Sequence, residues 1–189
     1  MASRLSNWLI RVSSGRVTLI ALVIFLLFTS LVLPGQSSRS ASGTGDAGSP
    51  DLTLFYSAED LYRWAEAYGE EGRTGYVRAR FTFDLVWPLV YTFFLVTSIS
   101  WLFSRYFPKG SPWLQSNLAP VLGMIFDYME NIFTSIVMLR FPDQTPIVAS
   151  IAGIFTGLKW TFVGLSFVLL VVGIVVYVWG RIRGKASRG

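Results

Sequence analysis

The chain has 189 residues, of which 52% are hydrophobic and 14% charged, with a mean hydropathy of +0.52 and a net charge of +5. That composition leaves too little charged surface for a soluble domain of this size, so long apolar stretches must face lipid. There is no Cys and no His, which excludes disulfides, thiolate chemistry, Cys/His zinc sites, His-held haem and a Ser-His-Asp triad. No cofactor or metal is expected, and any acid–base work falls to Asp, Glu, Lys, Tyr or Arg.

The first apolar run, 17–33, holds no charge and follows Arg4, Arg11 and Arg16. A cleaved signal peptide is the rival reading. The run is long for a signal core and about the minimum for a span, so it is read as a first membrane helix after a cytoplasmic segment, 1–16. Residues 34–51, rich in Ser and Gly, read as a linker. Ser57 and Asp60 then resemble a capping box, and Leu61, Trp64, Ala65 and Tyr68 recur at helical spacing. The pattern predicts an amphipathic helix near 57–69, on the outer membrane surface or capping the bundle, within an extracytoplasmic loop of 34–80.

Three more spans follow, over 81–103, 118–139 and 147–180. Segment 104–117 and a tail from residue 181 join the cytoplasmic side, and 140–146 forms a short outer loop. The last run exceeds the ~20 residues needed to cross, so it either projects from the bilayer or breaks near Gly153 or Gly157. Those two glycines form a small-xxx-small pair suited to close helix packing. Orientation follows from charge. The N-terminal segment, segment 104–117 and the tail are basic and free of acid, whereas the loop after the first span carries seven acids and five basic residues. This alternation fits a multi-pass plasma-membrane protein with four spans and both ends inside. The basic excess is topogenic, and no nucleic acid is expected as a partner.

Ionisable residues inside spans are costly and mark functional sites by default. Asp84 lies in the second span, Asp127 and Glu130 in the third, and Lys159 in the fourth. Counting ~1.5 Å of rise per residue from Arg105 and Arg181 puts Asp84 and Lys159 at one level near the outer rim. An ion pair between them is plausible, with Arg80, one turn before Asp84, the competing partner. Asp127, Glu130, Asn131 and Thr134 form one polar stripe, and the Tyr91 hydroxyl reaches its depth. Two carboxylates one turn apart in a dry bundle cannot easily both ionise, so a proton or a cation is called for. Trp87 and Trp160 either wall a site or belong to the outer aromatic belt.

The strings RFTFDLVWPLVY (80–91), DYMEN (127–131) and LKW (158–160) resemble those of a group of small bacterial four-helix membrane proteins with no assigned activity. The resemblance covers 52–180, and Asp-x-x-Glu-Asn is its most specific part. It implies an all-helical four-span fold, singles out Asp84, Asp127, Glu130, Asn131 and Lys159, and implies no reaction. The leading expectation is an outward-facing polar pocket, lined by those residues and Tyr91, that binds a lipid or a small cationic ligand. Two others stay open. One is an accessory subunit or homo-oligomer, in which the stripe is packing glue. The other is a proton-coupled transporter or enzyme using Glu130 and Asp127.

Overall fold

A computed structural model of the chain describes residues 1–35, 48–50 and 53–186. Most of the Ser/Gly linker therefore falls outside the described residues. Those described are helical, with no strand among them, and four helical stretches are long and apolar enough to cross a membrane: Gly15–Gly35, Gly69–Phe103, Pro112–Arg140 and Pro146–Ile182.

Helix α1 (Ala2–Val12) is short and amphipathic. Its polar face docks on a 3-10 turn, Pro112–Leu118: the Ser6 hydroxyl donates to the Leu114 carbonyl at 3.0 Å, and the Asn117 amide donates to the Ser6 carbonyl at 3.2 Å. This helix was not anticipated. Residues 2–12 alternate Arg, Ser and Asn with apolar residues, and the segment reads as a charged flank until its helical period is plotted.

Helix α2 (Gly15–Leu27, continued by a π turn to Val32) starts at Ser14, whose side chain accepts from the Val17 N–H. It is apolar all round and buries only Ala21. It packs on one neighbour, α5, through stacked rings of Phe25 with Phe94 and of Phe28 with Trp87. Trp87 thus belongs to the contact between the first two long helices.

Helix α3 (Ala58–Ala67) opens on the expected capping box of Ser57 and Asp60 and buries Leu61 and Ala65. Gly69, at φ +62°, ends it in the left-handed conformation that favours glycine. The chain does not then become a loop. Helix α4 (Gly69–Arg80) follows at once, although three glycines and mixed charge argue against a helix there. Tertiary contacts override that weak propensity: Tyr76 and Arg80 are buried, and Arg73 donates to the Ala65 carbonyl at 2.9 Å while lying over the Phe141 ring.

After a break at Phe81–Thr82 come α5 (Phe83–Phe103), the 3-10 turn, α6 (Ala119–Arg140) and α7 (Pro146–Ala186). The antiparallel pair α6–α7 makes the most extensive contact in the molecule. The helices are tightly packed at Gly123, where a Cβ would sit 3.0 Å from Val163 Cγ2. The expectation for Gly153 and Gly157 needs correction. They do not seat another helix, and α7 does not break at either. A Cβ on Gly153 would overlap the carbonyl oxygen of Tyr56, and one on Gly157 would meet Phe55. The glycines instead accept the segment that enters α3.

The acid-free basic segments gather at one end of the bundle. There the Trp101 ring lies tilted against Tyr177 beside Arg105, and α1 docks on the 3-10 turn. At the other end α3 and α4 cover the α6–α7 turn, where the Tyr62 hydroxyl accepts from the Thr145 N–H. Each end has its own apolar core. One is built on Phe94, Leu95, Ile99, Leu102 and Leu170, the other on Leu61, Ala65, Val137, Met138 and Ala152. Between them lies a layer of charge.

Candidate functional site

The layer is assembled from four helices. Three adjacent long helices, α5, α6 and α7, supply Asp84 and Tyr91, then Asp127, Glu130 and Asn131, then Lys159; α4 supplies Arg80. Lys159 Nζ lies 2.5 Å from Glu130 Oε2 and 3.9 Å from Asp127 Oδ1. The Tyr91 hydroxyl donates to Asp127 Oδ2 at 3.0 Å. Arg80 Nη1 lies 3.1 Å from Asp84 Oδ2 and donates to Asn131 Oδ1 at 3.2 Å. The Arg80 guanidinium also rests 4.2 Å from the Tyr76 ring centroid. Glu130 is 1% exposed and Lys159 6%, so the ion pair is out of contact with solvent.

The structure therefore brings all six predicted residues into one region, but pairs them differently from the first expectation. Asp84 does not meet Lys159. It takes Arg80, the competing partner, because the break at Phe81–Thr82 ends α4 with Arg80 facing inward, one turn before Asp84. Lys159 takes Glu130 and Asp127. The turn between α6 and α7 sets that register. Asp127 stands thirteen residues before Arg140 and Lys159 thirteen after Pro146, so equal helical rise brings them level. Counting from this turn, rather than from the basic flanks, would have found the pair. Arg80 is the residue that sequence reasoning placed at the rim and the structure places inside; its signal was the i to i+4 spacing to Asp84.

Local chemistry holds the layer in place. Pro88, fully buried within α5, has no N–H to offer the Asp84 carbonyl four residues earlier. One rung of the helix ladder is therefore missing beside the Arg80–Asp84 pair. On α6, Thr134 and Ser135 turn their hydroxyls back to the carbonyls of Glu130 and Asn131, at 2.8 and 2.6 Å. The Asn131 Nδ2 group is buried with no hydrogen-bond partner in the structure, a donor that buried amides rarely leave unused. Trp160 is partly exposed, and its ring centroid lies 5.3 Å from Lys159 Nζ. Trp87 reaches the site at one remove, edge-on to the Tyr91 ring.

The charge balance of the layer is uneven. Asp84, Asp127 and Glu130 supply three carboxylates, and Arg80 and Lys159 two cations. Arg80 pairs with Asp84, and Lys159 with Glu130 and Asp127. Asp127 accepts from the Tyr91 hydroxyl and lies 3.9 Å from the Lys159 ammonium. A net buried charge is expensive. Among the described residues no group of three His, Cys, Asp or Glu side chains is placed to hold a metal ion.

No family model matches this chain, nor does any curated protein or solved structure.

Proposed function

We propose that the chain is a multi-pass protein of the cell membrane, with both termini in the cytoplasm, that binds a small ligand bearing a cationic group at the charged layer. A lipid amine headgroup or a free amine has the required chemistry. The observation that carries this reading is the buried, unsatisfied amide donor Asn131 Nδ2, one helical turn from Asp127 in a layer of three carboxylates and two cations. A ligand pairing a cation with an acceptor oxygen would meet both needs.

The membrane part rests on surface chemistry. Leu19, Ile20, Val23 and Leu31 of α2 are exposed, as are Val168, Val171 and Val175 of α7, far beyond what a soluble monomer shows to water. The end that collects the acid-free basic segments supports the orientation. From Arg181 to Lys159 is twenty-two residues, about 33 Å of helix at ~1.5 Å per residue, close to the thickness of a hydrocarbon core. That spacing supports a charged layer at the outer boundary, roofed by α3 and α4.

The test is the lipid and small-molecule content of protein purified in mild detergent, measured by native mass spectrometry. D127N removes one negative charge from the layer without removing volume. It should fold like the parent and lose a bound amine that the parent retains. Equal occupancy in both proteins would sink the proposal. A parent that carries no ligand, and whose thermal stability changes with pH only when Asp127 is present, would assign the missing charge to a proton.

A further inference from the structure

Helix α1 presents three distinct faces. One docks on the 3-10 turn through Ser6. A second carries Arg4 and Arg11, and no acid occurs anywhere in the helix. The third carries Leu5, Trp8 and Val12, spaced three and four apart, and these stand 45%, 56% and 44% exposed. A helix seated on its own protein through Ser6 and Ile10 that still leaves a second apolar stripe outside departs from the rule for globular surfaces. The apolar stripe needs another cover, and the arginines beside it define its chemistry.

We infer that α1 is an in-plane anchor that sinks the Leu5–Trp8–Val12 stripe into the bilayer surface and binds anionic phospholipid headgroups through Arg4 and Arg11. Trp at the apolar–polar boundary and arginines on the flank are the features of an interfacial helix. The two bonds to the 3-10 turn at Leu114 and Asn117 hold α1 at the end of the bundle where Lys109 and Arg105 also lie. Its C-terminus runs within three residues into α2. The stripe therefore stays at the mouth of a span, at headgroup level. The inference rests on the membrane reading given above and adds a lipid class and a second site, remote from Asp127.

The absence of Cys makes the test direct. Leu5→Cys in the full chain, labelled with an environment-sensitive fluorophore, is reconstituted into nanodiscs of phosphatidylcholine alone or with phosphatidylglycerol. The label should be shielded from iodide and quenched by lipid-borne bromine. With ~1 kcal/mol for each basic residue at an anionic surface, its immersed fraction should rise by up to about 30-fold in odds with the anionic lipid. R4Q/R11Q should abolish that rise. Immersion equal in the two lipid mixtures overturns the headgroup recognition, and free access of iodide in both overturns the anchor. A second label, Val23→Cys on the exposed side of α2, separates the two readings. If it lies in lipid while Leu5→Cys stays in water, only the anchor fails. If both stay in water, the membrane reading fails with it.

Discussion

Lys159 closes on Glu130 of the preceding helix, 2.5 Å from Nζ to Oε2, with Glu130 almost wholly buried. The consequence is an asymmetry between breaking the pair and removing it. Lys159→Met strands two carboxylates, and loss of one partner of a buried pair typically costs about 3–5 kcal/mol. Lys159→Met combined with Glu130→Gln should be less destabilising than the lysine change alone. Thermal unfolding of the three proteins in one detergent checks this; a double variant as unstable as the sum of its parts would show that the pair is not the unit.

Arg80 holds Asp84 and Asn131 and lies flat over Tyr76. A lysine there keeps the charge but loses both the planar stacking and the fork of donors. Arg80→Lys should therefore cost about 1–2 kcal/mol, in the range of a desolvated cation–π contact plus a charged hydrogen bond. Phe81→Ala, at a half-exposed neighbour, is the control and should cost clearly less. If Arg80→Lys is neutral in unfolding experiments, the guanidinium is a bystander.

The segment entering α3 is seated on Gly153 by a backbone carbonyl, which cannot swing away as a side chain would. Gly153→Ala should loosen that seat and expose residues 53–80 to protease, at an overpacking cost of about 1–3 kcal/mol. Gly164→Ala, on the same helix with nothing within 4 Å of its Cβ, should be neutral or slightly stabilising, since alanine is the better helix former. Limited proteolysis of both variants distinguishes seating from a general effect on α7.

Much of this architecture was legible in residue type, and what was not has a common cause. Hydropathy and the acid-free basic flanks need no tertiary information, so the four long apolar stretches can be read directly. The capping box of Ser57 and Asp60 is equally local. Helix α4 was missed because Gly69, Gly72 and Gly75 argue locally for a loop, and only the burial of Tyr76 and Arg80 outweighs them. The partners of Lys159 were missed for a related reason. Depth measured from a distant basic flank accumulates error along the helix, whereas depth measured from the short turn at 141–145 does not. Asp84, Asp127, Glu130 and Lys159 could be collected by cost alone, because charge in an apolar run is conspicuous, and Tyr91 and Asn131 by depth and helical spacing; which of them touch depends on the helix break at Phe81–Thr82.

Helix α3 should show a pH dependence of its own. Two hydrogen bonds from Ser57, through its side chain and its backbone N–H, hold the Asp60 carboxyl below its ordinary value of 3.8, and Arg63 adds to the effect. A carboxyl whose value is lower in the folded state stabilises above its unfolded value and loses that contribution as pH falls through the folded one. The start of α3 should therefore be firm at neutral pH and fray below about pH 3.8. Asp60→Asn should remove most of that dependence, and Ser57→Ala should cost about 0.5–2 kcal/mol as a lost cap. Amide exchange at residues 58–61 across this range is the measurement; protection unchanged down to pH 2 would mean the capping box does not hold the helix end.

Orientation is open to the most direct test, again because the chain has no cysteine. A single Cys in place of Gln144, in the turn between α6 and α7, and one in place of Ser111, before the 3-10 turn, lie at opposite ends of the bundle, the first exposed and the second half-buried. Acid-free basic segments resist translocation, so the Ser111 end should stay inside. A membrane-impermeant maleimide added to intact cells should label Gln144→Cys, while Ser111→Cys reacts only after the membrane is opened. The reverse pattern would put the charged layer at the inner boundary and α1 outside. A ligand reaching Asp127 would then come from the cytoplasm, and an anchor for cytoplasmic anionic lipid would have nothing to bind.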